Sequence, residues 1–259
     1  MSDETALRRV QAALEKALKL KAAGDYGKAV EALRAAEKDA LPPGSTETRR
    51  VLGEIRFAIG DAFERSGDLT AARAAYDSAV QCDPRNKRAI VKHVEHSFAA
   101  AAPEDATLVP YYIDYVALGR SKRVRIDVLK RLQTLLRIRL VDRPETLAWR
   151  MGRLEELNRA APEVNFPKLY LGRAHYILGN WRRSIEFLAA ISGSAQETHD
   201  LLNMLGRAHE KLQEYAEARA AYESSLRRVP GQSGIHFRLG RLQLKAAEST
   251  AEIDSNSNS

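Results

Sequence analysis

Cysteine is almost missing from this sequence. Cys82 stands alone, so no internal disulfide can form and no thiolate pair is spaced to hold zinc. Long apolar runs are missing too: no eighteen consecutive apolar residues occur, and nothing is expected to span a bilayer. The opening stretch, MSDETALRRV, contains no apolar core of the kind a secretion signal carries. The expected location is therefore the cytoplasm. Val, Ile and Thr are sparse and rarely alternate with polar residues, which argues against strands. There is no Gly-rich phosphate loop, no nucleophile elbow and no paired metal motif. No cofactor, metal or catalytic centre is expected, and the chain reads as a non-enzyme.

What the sequence does contain is helix-forming residues in abundance. Ala, Leu, Arg, Glu and Lys dominate, and all favour helix. With 44% hydrophobic and 29% charged residues, the composition is that of a folded helical protein rather than a disordered chain.

A period of thirty-four residues organises these helices. Leu171-Gly172-Arg173-Ala174-His175 recurs as Leu205-Gly206-Arg207-Ala208-His209, and Leu239-Gly240-Arg241 follows at the same spacing. An earlier unit has the same skeleton: Ile59-Gly60, Phe63, Gly67-Asp68, Ala72, Tyr76, Ala79 and Pro84. The unit from His199 reads Leu205-Gly206, His209, Ala218, Tyr222, Ser225 and Pro230. Each unit is a helix, a short turn and a second helix. The glycine lets the two helices approach, the bulky residues fill the gap between them, and the proline stops the second helix. One such unit cannot bury its apolar face alone, so neighbours must stack.

This pattern resembles the tetratricopeptide repeat (TPR). The match is strong at 53–86, 165–198 and 199–232, and partial at 10–43, where Gly24-Asp25-Tyr26, Ala29, Leu33 and Ala36 fit. The resemblance implies an all-α fold, a right-handed alpha-alpha superhelix of about six hairpins closed by a C-terminal capping helix. Thirteen helices are expected, near 5–22, 27–40, 47–66, 69–82, 87–101, 105–118, 122–140, 145–160, 166–178, 181–191, 197–212, 215–228 and 233–249. The hairpin at 1–40 is a degenerate repeat and 41–46 a linker. Residues 47–86 form a TPR, and 87–164 form degenerate hairpins. Two TPRs follow at 165–198 and 199–232, then a cap at 233–249 and a disordered tail at 250–259. Gly60 and Gly172 lie ten residues further apart than three regular repeats allow, and a long helix at 122–140 is expected to absorb the excess.

The resemblance also implies a function: a scaffold or adaptor that holds a peptide or helix of another protein on the concave side, lined by first helices. The positions that face it are Leu169, Arg173 and Tyr176, then Asp200, Asn203, Arg207 and Glu210, then Phe237, Arg238 and Arg241. Arg173, Arg207 and Arg241 form a ladder, one per repeat, suited to a carboxylate-rich or phosphorylated segment. The family's clamp for chaperone carboxylates is not reproduced, since its positions read Leu169, Arg173, Met204, Gly234 and Arg238.

The net charge of +7 is concentrated in one place. Arg120, Lys122, Arg123, Arg125, Lys130, Arg131, Arg137, Arg139 and Arg143 face only Asp127 and Asp142. Arg120, Lys122, Arg123, Lys130, Arg131 and Arg137 are therefore candidates for an anionic surface, with nucleic acid as the alternative partner. No aromatic residue interleaves with these charges for base stacking, and a solvated helix face explains them as well. Tyr111, Tyr112 and Tyr115 are expected to fill core, and His175 and His209 to pack between helices. His93 and His96 read as a surface pair.

Overall fold

The computed structural model describes residues 3–39, 46–98, 105–118, 122–139, 142–194 and 197–244, with the side chains of 3–7, 39 and 122 left aside. Its described residues are helices and turns, with no strand. In chain order they are α1 (Asp3–Ala22), α2 (Tyr26–Asp39), α3 (Thr46–Ser66), α4 (Leu69–Cys82) and α5 (Lys87–Phe98). A 3-10 turn (Ala106–Leu108) leads into α6 (Val109–Ala117), followed by α7 (Lys122–Leu135) and α8 (Pro144–Ala160). Then come α9 (Phe166–Ile177), α10 (Trp181–Ala189), α11 (His199–Lys211) and α12 (Tyr215–Arg228). A last helical stretch, α13, covers 233–244. No helix among the described residues is long and apolar enough to cross a membrane.

Local chemistry sets these boundaries. The Asp68 carboxylate accepts from the Ala71 amide and caps α4, and the Thr198 hydroxyl accepts from Leu201 and caps α11. Pro110, Pro144 and Pro167 sit in the first turns of α6, α8 and α9, where a missing N–H costs nothing. The first helices of three hairpins end on a left-handed glycine, Gly24, Gly67 or Gly179. In the α11–α12 turn the same position is taken by Gln213, with φ 62°.

The chain divides into two compact units, Met1–Leu132 and Gln133–Ser259. In the first, α1 and α2 pair, as do α3 and α4, around Val10, Ala17, Leu33, Ile55 and Ala62. Gly60 lies against the Tyr76 ring so closely that an added Cβ would stand 2.6 Å from it. Arg56 spans three helices: it donates to Glu37 of α2 at 2.7 Å and, from α3, to Ser78 Oγ and Cys82 Sγ of α4 at 2.8 and 2.9 Å. Tyr112 and Tyr115 of α6 are fully buried, as expected of core, and Tyr111 meets the His93 ring edge-on at 4.9 Å.

In the second unit α9 pairs with α10 and α11 with α12. Leu188, Ile191, Leu201, Leu205 and Ala221 form one core cluster, and Ala218, Tyr222, Ile235 and Leu242 form the next, which seats α13 on α12. Gly206 receives the Tyr222 ring and Gly172 the Leu188 side chain, so both glycines do what the repeat requires.

The end of α7 corrects the sequence reading. The helix stops at Leu135, not 140. Leu136 and Ile138 are buried outside the helix, and the Asp142 carboxylate accepts from the Arg139 amide at 2.9 Å and from Arg150 at 2.6 Å. Arg143 is extended, as a residue before proline must be. The extra residues between Gly60 and Gly172 are therefore not taken up by a long helix. Residues 41–45 of the expected linker, 245–249 of the expected cap and the tail at 250–259 lie outside the described residues.

Candidate functional site

The thirty-four-residue register places α11 and α13 as successive first helices. Their inward faces are apolar: Leu201 and Leu205 in α11, Ile235 and Leu242 in α13. Their other faces carry the polar residues that the sequence singled out. Asn203, Arg207, Gln232, Gly234, Ile235, Phe237, Arg238 and Arg241 line one cleft of about 440 Å³. Phe237 is 71% exposed at its edge. Five of the seven expected partner-binding residues thus come together.

One carboxylate organises the cations. Glu210 accepts from Arg238 Nη1 at 2.7 Å, from Arg241, and from the Tyr222 hydroxyl at 3.0 Å. Burial works to raise its pKa, but the bonds from Tyr222, Arg238 and Arg241 outweigh it and hold the carboxyl below the usual range. Burial, and after it the same carboxylate, pushes the Tyr222 phenol up. Arg207 forms no hydrogen bond or ion pair among the described residues and is exposed. Asn203 is fixed by donating to Gln232 Oε1 at 2.7 Å, and Gln232 in turn donates to Ser225 Oγ at 3.0 Å and Val229 O at 2.9 Å. The Asn203 carbonyl oxygen is buried and has no donor among the described residues. Two guanidinium groups therefore share one carboxylate, and a third, Arg207, lines the same cleft beside an exposed phenyl ring.

The same arrangement recurs in the first unit. Glu64 accepts from the Tyr76 hydroxyl at 2.6 Å and from Lys92 Nζ at 2.8 Å. Counted from the glycine notch, Gly60 or Gly206, the glutamate, tyrosine and cation stand at identical offsets in both units. Such a double recurrence, of sequence spacing and of contact geometry, is the mark of one repeat motif used twice.

The family profile described as tetratricopeptide repeat matches residues 14–87, 169–233 and 203–255. The chain belongs to the tetratricopeptide repeat family. No curated protein matches it. Similar solved structures include Acl4, the assembly chaperone of RpL4, at 13% identity and TM-score 0.39, covering 95% of this chain and 99% of that one. PilF of Pseudomonas aeruginosa is similar at 14% identity and TM-score 0.37, covering 93% and 99%. The TPR2AB domain of yeast Sti1, in complex with pHSP90, is similar at 14% and TM-score 0.37, covering 92% and 85%.

Not every candidate residue joins the TPR cleft. Arg173, on α9, lies one repeat back and does not line it. Tyr176 turns to Trp181 of α10, ring centroids 5.0 Å apart. In the basic segment, Arg131 is used internally: it lies over the Phe98 ring at 4.1 Å and donates to Phe98 O and the Tyr112 hydroxyl at 3.2 and 3.1 Å. Lys130 stands 3.6 Å from Asp127, and Arg123 and Arg137 are exposed. Arg120 and the Lys122 side chain lie outside what the structure describes.

The histidines serve packing in two distinct ways. His175 stacks on Phe187, rings 6° from parallel, with both nitrogens buried and unpartnered among the described residues, and burial lowers its pKa. His209 lies 2.7 Å from Glu214, the residue just ahead of the next helix. His93 is buried rather than on the surface, and His96 is half-buried, its ring 5.2 Å from that of Tyr76. The expected surface pair is therefore an inner one, because α5 packs both rings against its neighbours. No group of three metal-ligating side chains occurs among the described residues.

Sequence reasoning missed Gln232 and understated Glu210. Both had a signal: Gln232 is the repeat equivalent of Asn86, which donates to Glu54 of the preceding first helix at 2.9 Å.

Proposed function

We propose that this TPR chain is a non-enzymatic protein-interaction scaffold, and that its α11–α13 cleft takes a peptide segment carrying an acidic side chain beside an apolar one. The observation that carries this reading is the charge imbalance in the cleft. Arg238 and Arg241 share Glu210, while Arg207 lines the same cleft with no hydrogen bond or ion pair among the described residues. Arg207 is the cation most available to a ligand carboxylate or phosphate, because it has no internal partner to give up. Charge-assisted hydrogen bonds of this kind contribute about 1.5–3 kcal/mol each. Exposed Phe237 offers a surface for an apolar side chain. Arg173 continues the line of cations one repeat back, so a longer acidic segment gains a further contact.

Affinity capture tests this, comparing the natural chain with an Arg207→Ala, Phe237→Ala, Arg241→Ala triple variant from the same cell extract. Partners held by the cleft should fall away in the variant, with an affinity loss of roughly tenfold or more for each purified partner, about 1.4 kcal/mol. Undiminished recovery of every partner would reject the cleft as the binding surface.

A further inference from the structure

Each regular repeat contains a glycine notch that its own second helix fills. A Cβ added at Gly60 would stand 2.6 Å from the Tyr76 ring, one at Gly206 2.5 Å from Tyr222, and one at Gly172 2.7 Å from Leu188. In all three cases the inserted side chain is preceded, four residues earlier, by a small buried residue: Ala72, Ala218 or Ser184. The notch therefore selects one shape, a helix with Ala or Ser one turn before Tyr or Leu.

Helix α13 carries the same notch with no filling among the described residues. Gly240 stands thirty-four residues after Gly206, yet an added Cβ there would meet nothing within 4 Å among the described residues. The residues around it are uncovered in step. Leu239 is only half-buried, whereas Leu205 and Leu171 at the same register are buried. His236 and Gln243, three or four residues either side of Gly240, are exposed, and Leu244 is 67% exposed. A glycine inside a helix is unfavourable relative to alanine, because it gives up more backbone freedom. At Gly60, Gly172 and Gly206 close packing offsets that cost. At Gly240 no packing among the described residues does.

We propose that this face of α13 is a docking site for an α-helix of another protein, one that sets Tyr or Leu over Gly240 with Ala or Ser one turn earlier. The three filled notches fix the class of occupant, because the register that shapes them is unchanged in α13. The chain's own sequence does not supply the knob. At the offsets of Ala218 and Tyr222 it places Glu252 and Asn256, polar where the repeat puts a small residue and a large apolar body. His236 and Gln243 keep the uncovered face compatible with water, which suits a partner that comes and goes. The site is separate from the acidic-peptide cleft, whose lining does not include Gly240.

The test titrates the full-length chain, labelled with nitrogen-15, with a synthetic peptide of the 214–229 sequence, the helix that fills the Gly206 notch. An isolated helix of this length is only marginally formed, so the titration runs to millimolar peptide. Amide shifts should concentrate on 236–244. A Tyr222→Glu version of the peptide should bind roughly tenfold more weakly or worse. Gly240→Tyr and Gly240→Gln in the protein should each do the same while leaving its melting temperature undiminished, two variants guarding against misfolding of either. Arg207→Ala should leave this binding unchanged, which separates it from the cleft. Absence of shifts, or shifts that survive both Gly240 variants, would overturn the proposal. So would binding that appears only after removal of 245–259, since the chain's own segment would then be the occupant.

Discussion

Glu64 and Glu210 show what a single side chain does in this architecture. Each sits on a first helix, accepts from the tyrosine of its own second helix, and accepts again from a cation on the first helix of the next repeat. One carboxylate thus links three consecutive helices. Both carboxyls are held low: burial alone would raise them, and the hydrogen bonds to them prevail. A folded pKa below the unfolded one stabilises the fold above the ordinary glutamate value near 4.5, and that stabilisation is lost as pH falls through the lower folded value. Glu64→Gln and Glu210→Gln should therefore melt below the natural chain at pH 7, and the gap should narrow by pH 3. Thermal melts at the two pH values measure it. In the sequence Glu210 stood out only as one more position on the concave side, and Glu64 did not stand out at all. Their role depends on how far apart three helices stand, which no single residue reports. The shared offset from Gly60 and Gly206 was the legible clue.

At the scale of the helix hairpin, the sequence was nearly transparent. The Leu-Gly-Arg triplets fixed the register, and α9 to α12 fall where the period put them. The glycine contact explains why. Gly206→Ala should cost roughly 1–3 kcal/mol, since the rigid Tyr222 ring cannot yield. Gly172→Ala should cost a similar amount, because the fully buried Leu188 meets the added Cβ with Cγ as well as Cδ2, both at 2.7 Å, and turning a methyl does not move Cγ. Urea unfolding of both variants measures the costs. Legibility failed at α7, whose apolar spacing ran on past the point where the helix stops. Periodicity records which residues are buried, and Leu136 and Ile138 are buried without being helical. The choice to leave the helix was made by Asp142 and Pro144, downstream of the pattern.

At the scale of the whole molecule, two compact units each hold their own cores, and a stack of repeats gains stability as a sum of neighbouring contacts. The net charge of +7 acts on the molecule as a whole and needs no site. It should draw a labelled RNA weakly at low salt, with affinity falling as the ionic strength rises. In a fluorescence anisotropy titration, binding should vanish near physiological salt, and Arg131→Ala should not change the low-salt value by more than about twofold, because that guanidinium is held against Phe98. Retention of tight binding at physiological salt would revive nucleic acid as the partner.

The reach of Arg56 to Glu37, Ser78 and Cys82 has a practical side. The only thiol in the chain is screened by a guanidinium that stays in place while α2, α3 and α4 are seated together. A reagent that alkylates sulfur must first displace it. Cys82 is thus a native gauge of the first unit, its labelling rate recording how often those three helices part.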